Sequence, residues 1–166
     1  VLTASDVVFA GVKSGGYNLL SAVPSIFADV SSTQGSPRFS AFANEISWMA
    51  NRGISTGYEA ANATREYRAF GTVTRDAMAA FLYRAAGSPT FTAPAVSPFV
   101  DVPKTHPFYK EITWLASEGI STGWDTGGGQ REYRPGLNIT RDAMAVFLYR
   151  FAGNPAFTLP ATSQFT

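Results

Sequence analysis

The chain has 166 residues, a length that suits one compact domain or a short repeat array. Hydrophobic residues make up 45% and charged residues 15%, which supplies a core and excludes a disordered tail. A formal net charge of +1 argues against a nucleic-acid partner, zero cysteines exclude disulfides and thiolate sites, and one histidine, His106, excludes a multi-histidine metal site. No apolar run approaches about 18 residues, so no membrane insertion is expected; no cofactor is expected either.

The first 26 residues align with nothing else in the chain and are treated as an N-terminal extension. Within it, Ser5–Val12 reads as a short strand or a short helix, and periodicity does not separate the two. Beyond it the chain repeats itself. Residues 45–94 and 111–160 align without gaps at an offset of 66, and 29 of these 50 positions are identical. Each copy has a related opening, Phe27-Ala28-Asp29-Val30 and Phe99-Val100-Asp101-Val102. The first copy carries extra Ser/Thr/Gly/Pro-rich residues at 31–38, the composition of a surface loop. The repeats therefore span 27–87 and 99–153, joined by an extended Pro/Thr/Ala linker over 88–98. In the remaining 154–166, Phe165 falls in register with Phe99, so a further, truncated repeat is expected to begin there.

Each repeat reads as a helix, a long loop and a second helix. The first helix is expected over about 40–52 and 106–118, where Phe42, Ile46 and Met49, then Phe108, Ile112 and Leu115, follow one helical face. Gly53 and Gly119 stand where a left-handed glycine ends a helix. The second helix starts at Thr74 and Thr140, each able to accept from the first-turn N–H groups. Met78, Phe81, Leu82 and Ala85 form its predicted buried stripe, matched by Met144, Phe147, Leu148 and Phe151. Gly87 and Gly153 end it. The loops between, 54–73 and 120–139, keep their ends and vary at their tips, so their ends are constrained and either functional or locally structured.

Several repeated residues are candidates for ligand contact. Arg75 and Arg141 each follow the capping threonine, where free helix N–H groups, the helix dipole and a guanidinium together suit a carboxylate or phosphate. After Thr56 and Thr122, Gly57 and Gly123 permit a turn or a close approach to a ligand. Tyr58 and Trp124 follow, and such rings serve equally as core or as a platform for a sugar face. Asp29 and Asp101 suit a cap on the first helix or a ligand hydroxyl. Paired-carboxylate hydrolysis is not favoured: Glu66 and Glu132, like Asp76 and Asp142, are duplicates of one position rather than a complementary acid and base.

In order, Phe99-Val100-Asp101-Val102, Gly119-Ile120-Ser121-Thr122-Gly123-Trp124, Tyr133-Arg134-Pro135 and Ile139-Thr140-Arg141 resemble the S-layer homology domain. The resemblance covers both repeats, although Thr-Arg-Asp-Ala replaces the family's Thr-Arg-Ala-Glu and Ala69 stands where proline is usual. It implies a mainly α fold: tandem helix–long loop–helix repeats packed as a pseudo-symmetric helical bundle. It implies a non-catalytic module, extracellular at the cell wall or cell surface, that binds acidic secondary cell-wall polysaccharide of the kind often pyruvylated. Arg75 and Arg141 would contact the acidic sugar, and Arg141, in the repeat nearer the family pattern, would contribute more. The alternative is a structural or assembly module of a bacterial surface protein without glycan binding, with self-association through the incomplete third repeat.

Overall fold

The computed structural model describes residues 26–158, 160 and 162; Ser5–Val12 and Phe165 lie outside the described residues. The first copy contains α1 (Ala43–Asn51), the hairpin β1 (Tyr58–Glu59) and β2 (Arg65–Glu66), and α2 (Arg75–Ala85). The second contains α3 (Tyr109–Ser117), the hairpin β3 (Trp124–Gly127) and β4 (Gln130–Glu132), and α4 (Arg141–Phe151). Equivalent helices start 66 residues apart, the offset of the sequence repeat.

This corrects the expected helical bundle. The fold is mixed α/β, with four α-helices and two small antiparallel sheets among the described residues. Tyr58 pairs with Glu66 and Glu59 with Arg65; Trp124 pairs with Glu132 and Asp125 with Arg131. The hairpin strands form where the constrained loop ends meet the variable tips. They left no strand signature because the Tyr58–Glu59 and Trp124–Gly127 strands are exposed along their whole length, so neither face had to be apolar.

The helices are shorter at their starts than expected, beginning at Ala43 and Tyr109. The glycine stops hold: Gly53, Gly87, Gly119 and Gly153 all have left-handed φ between 67° and 83°. The threonine caps do not. Neither Thr74 nor Thr140 receives a first-turn N–H; each hydroxyl instead donates to the carboxylate two residues on, Asp76 or Asp142. The carboxylates in turn accept from the Ala77 and Ala143 N–H groups. The acid at the second helical position has taken the threonine's place as acceptor.

Packing runs between the copies. Helix α2 lies against α3, and Met78, Ala79, Leu82 and Tyr83 join Ile112, Trp114, Leu115, Tyr133 and Phe147 in the main core. The Tyr83 and Trp114 rings meet edge to face at 5.3 Å. A smaller core holds Phe27, Val30, Ala43 and Ile46. The 88–98 segment is laid along the core rather than hanging free: the Tyr83 and Tyr109 hydroxyls donate to the Pro89 and Pro94 carbonyls at 2.7 and 2.9 Å. Ser31–Phe39 is a surface excursion closed by a single bridge between its ends.

The predicted stripes need two corrections. On α2, Met78 and Leu82 are buried, but Ala85 is exposed. On α4, only Phe147 is buried, and Met144 and Leu148 are exposed. The reason is positional: α2 has α3 to cover it, and no described helix covers the matching face of α4. The first helices differ likewise. Trp114 is buried against α2, whereas its equivalent Trp48 is exposed, as is Phe42.

Candidate functional site

The site is built on the second hairpin and the start of α2. The Asp101 carboxylate grips the far end of the hairpin, accepting from the Tyr133 and Arg134 N–H groups at 2.8 and 2.6 Å. Asp29 does the same for Tyr67 and Arg68, both at 2.7 Å. Neither aspartate caps the first helix, whose flanking residues Phe42 and Phe108 have no side-chain cap. Both carboxylate oxygens are committed to backbone, and the grip holds Arg68 and Arg134 at left-handed φ of 61° and 60°. These aspartates orient the hairpin.

Gly123 is required by close approach. Its φ is +68°, and a Cβ there would lie 2.6 Å from the Glu132 carbonyl oxygen and from Phe99. Gly57 meets the equivalent neighbours, Glu66 and Phe27. The hairpin backbone presses onto the opening phenylalanine, and no side chain fits between. Thr56 and Thr122 are exposed, and their carbonyls accept from Arg65 and Arg131.

Arg75 reaches this hairpin from the first copy. It is 4% exposed. Its Nε donates to the Tyr133 carbonyl at 2.9 Å, and Nη2 lies 3.5 Å from the Ser121 hydroxyl. The guanidinium stands over the rings of Trp124, Tyr133 and Phe147 at 4.2, 4.8 and 5.1 Å. Burial is the main influence lowering its pKa from the ordinary guanidinium value, and burial likewise raises the Tyr133 phenol. The helix start beside it is not a free donor set. The Arg75 and Asp76 N–H groups donate to the Leu137 and Pro135 carbonyls at 2.9 and 3.1 Å, and the Tyr133 hydroxyl donates to the Arg75 carbonyl at 2.8 Å. The N–H groups expected to greet an anion instead fasten the two copies together.

No carboxylate among the described residues lies within ion-pair distance of Arg75. The ion pairs there are Arg68–Glu66, Arg134–Glu132 and the His106–Asp76 contact. A buried guanidinium without an acid is costly unless something else stabilises it, and here three rings, a carbonyl and a hydroxyl do so in part. It opens on a cavity of about 240 Å³ whose walls include Ser121, Thr122, Trp124, Phe147 and Arg150.

The two copies are not equivalent at this site. Arg75, Thr122, Gly123 and Trp124 come together in one cavity. Arg141 is exposed and has no hairpin from a following copy beside it among the described residues. Tyr58 is half exposed and carries the Arg68 guanidinium over its ring at 4.4 Å. Trp124 carries two, since Arg134 lies 4.6 Å from its ring. These rings are first of all seats for arginine. Sequence reasoning missed Ser121, Tyr133, Phe147 and Arg150 as neighbours of the arginine. The signal was in the conserved ends of the two copies, Gly-Ile-Ser and Phe-Leu-Tyr-Arg, but nothing in one sequence said that they face the helix start of the preceding copy.

No curated protein and no solved structure matches the chain. A family model described as the S-layer homology domain matches residues 98–145, a span that runs from the second opening through Asp101 and the second hairpin to the first turn of α4. Such domains are repeat-type modules of cell-surface proteins that bind cell-wall polymers. Over residues 98–145, 48 of the 166, the chain is similar to the S-layer homology domain.

Proposed function

We propose that this chain is a non-catalytic module that anchors its parent protein, outside the cell, to an acidic secondary cell-wall polysaccharide. The acidic substituent, a carboxylate such as that of a pyruvyl ketal, enters the cavity at Arg75. The observation that carries this reading is the Arg75 guanidinium itself, buried among aromatic rings with no carboxylate partner among the described residues. Ser121 and Thr122 offer hydroxyls for the sugar beside it.

The test is binding of the folded chain to purified wall polymer, wild type against Arg75→Gln and Arg75→Lys. One charge-assisted contact contributes about 1.5–3 kcal/mol, so Arg75→Gln should weaken binding about ten- to a hundredfold. Arg75→Lys should recover part of it, since an ammonium lacks the planar fork. Undiminished binding by folded Arg75→Gln refutes the site.

A second reading has its own support. Arg75 also bonds the Tyr133 carbonyl, and the open apolar face of α4, with Met144, Leu148 and Tyr149, resembles the covered face of α2. In that reading Arg75 only joins repeats and the module serves assembly without glycan. Wild-type chain that binds no wall polymer but self-associates would favour it.

A further inference from the structure

Arg150 lines the same cavity as Arg75 and approaches it from the other repeat. It stands in the last turn of α4, where its Nη1 donates to the Ile120 carbonyl at 3.2 Å. That bond holds the guanidinium against the stem of the second hairpin. Like Arg75, it has no carboxylate within ion-pair distance among the described residues. Arg84 makes the same bond to the Ile54 carbonyl at 3.2 Å in the first copy, but there no helix-start arginine from another repeat faces it among the described residues. Two guanidiniums thus line one small cavity, and Arg75 is desolvated by its burial with Arg134 as a further positive neighbour. An anion seated there would be attracted by both cavity arginines.

We infer that Arg150 is a second ligand contact, and that the bound acidic group is held between guanidiniums of two different repeats. The inference rests on the anchoring reading above and deepens it. Arg75 comes from the start of α2 and Arg150 from the end of α4. The group is a carboxylate or phosphate substituent on a sugar, with one oxygen for each arginine or a bidentate grip by one of them. Because its two holders belong to different repeats, the ligand also ties the repeats together, and binding stabilises the whole chain.

The experiment follows the side-chain Nε–H resonances of Arg75 and Arg150 in the full chain during titration with glucuronic acid, glucose 6-phosphate and neutral glucose. Both resonances should move with at least one acid and not with glucose, and the tighter acid tells carboxylate from phosphate. Arg150→Gln should weaken that acid about tenfold, and Arg150→Lys should recover part of the loss. A silent Arg150 resonance, with Arg150→Gln binding like wild type while Arg75→Gln does not bind, overturns the two-arginine site and leaves the anchoring reading standing. If Arg75→Gln also binds like wild type, or no acid moves either resonance, the anchoring reading itself fails. Melting temperature reports folding of Arg150→Gln; should that variant not fold, Arg150→Lys and the wild-type resonances decide the matter.

Discussion

Leu82 and Leu148 occupy the same position in two helices that match at nine of eleven residues, yet Leu82 is 4% exposed and Leu148 is 45% exposed. Truncating each to alanine separates the contribution of sequence from that of neighbours. Leu82 sits in the core that includes Ile112, Trp114 and Leu115, so Leu82→Ala removes buried carbons and leaves a void between packed helices. The expected loss is about 2–5 kcal/mol. At Leu148 nearly half the side chain is already in water, and the truncation opens no closed cavity. Scaling the transfer free energy by the buried fraction leaves about 1 kcal/mol. At roughly 2–4 °C per kcal/mol for a chain of this size, Leu82→Ala should lower Tm by about 5–15 °C and Leu148→Ala by about 3 °C. Urea unfolding at equal m-values gives the same comparison isothermally. Equal losses at the two positions would refute the reasoning, because they would mean that the face of α4 is covered and that the two copies pack alike.

Gly123→Ala should destabilise the chain by more than about 1 kcal/mol, since alanine must adopt a left-handed φ and its Cβ would press within 2.6 Å of the Glu132 carbonyl; denaturant unfolding checks it, and a neutral outcome would deny the close approach. Burial raises the folded-state pKa of Tyr133, so the phenol stays protonated in the folded chain while the unfolded chain ionises near the ordinary value of about 10. The stability this supplies is complete below about pH 10 and is lost as pH rises above it. Tyr133→Phe, which also loses the bond to the Arg75 carbonyl, should be less stable at pH 7 and show a shallower alkaline decline in a pH series of melting temperatures.

The features readable in the sequence were those fixed by local chemistry. Gly53 and Gly119 ended their helices because a left-handed C-cap needs no tertiary partner. The offset of 66 residues placed equivalent helices. What was not readable depends on contacts between copies. Trp48 and Trp114 are identical in pattern, and only the presence of α2 beside Trp114 buries it. The hairpins escaped notice because short strands with wet faces need no alternation, so Arg65 and Glu66 read as loop. Thr74 and Thr140 misled because an aspartate two residues on offers a closer partner for the hydroxyl than the helix N–H groups do.

The same dependence on neighbours explains why Arg75 is buried against a cavity while its equivalent Arg141 is exposed. Every wall of the Arg75 cavity other than Arg75 comes from the copy that follows it: the segment leading into the hairpin supplies Ser121 and Thr122, the hairpin supplies Trp124, and α4 supplies Phe147 and Arg150. The arginine is presented forward because the helix start that carries it is bonded to the next copy's 133–138 segment, through Pro135, Leu137 and the Tyr133 hydroxyl. Docking the copies and forming the cavity are therefore one event. Arg141 has the same sequence around it but lacks that docking partner among the described residues, and it stands in water. An exposed guanidinium contributes little to anion affinity because water and salt screen it, whereas one walled by rings acts through a lower dielectric. The motif supplies the arginine, and the interface between copies buries it against the cavity.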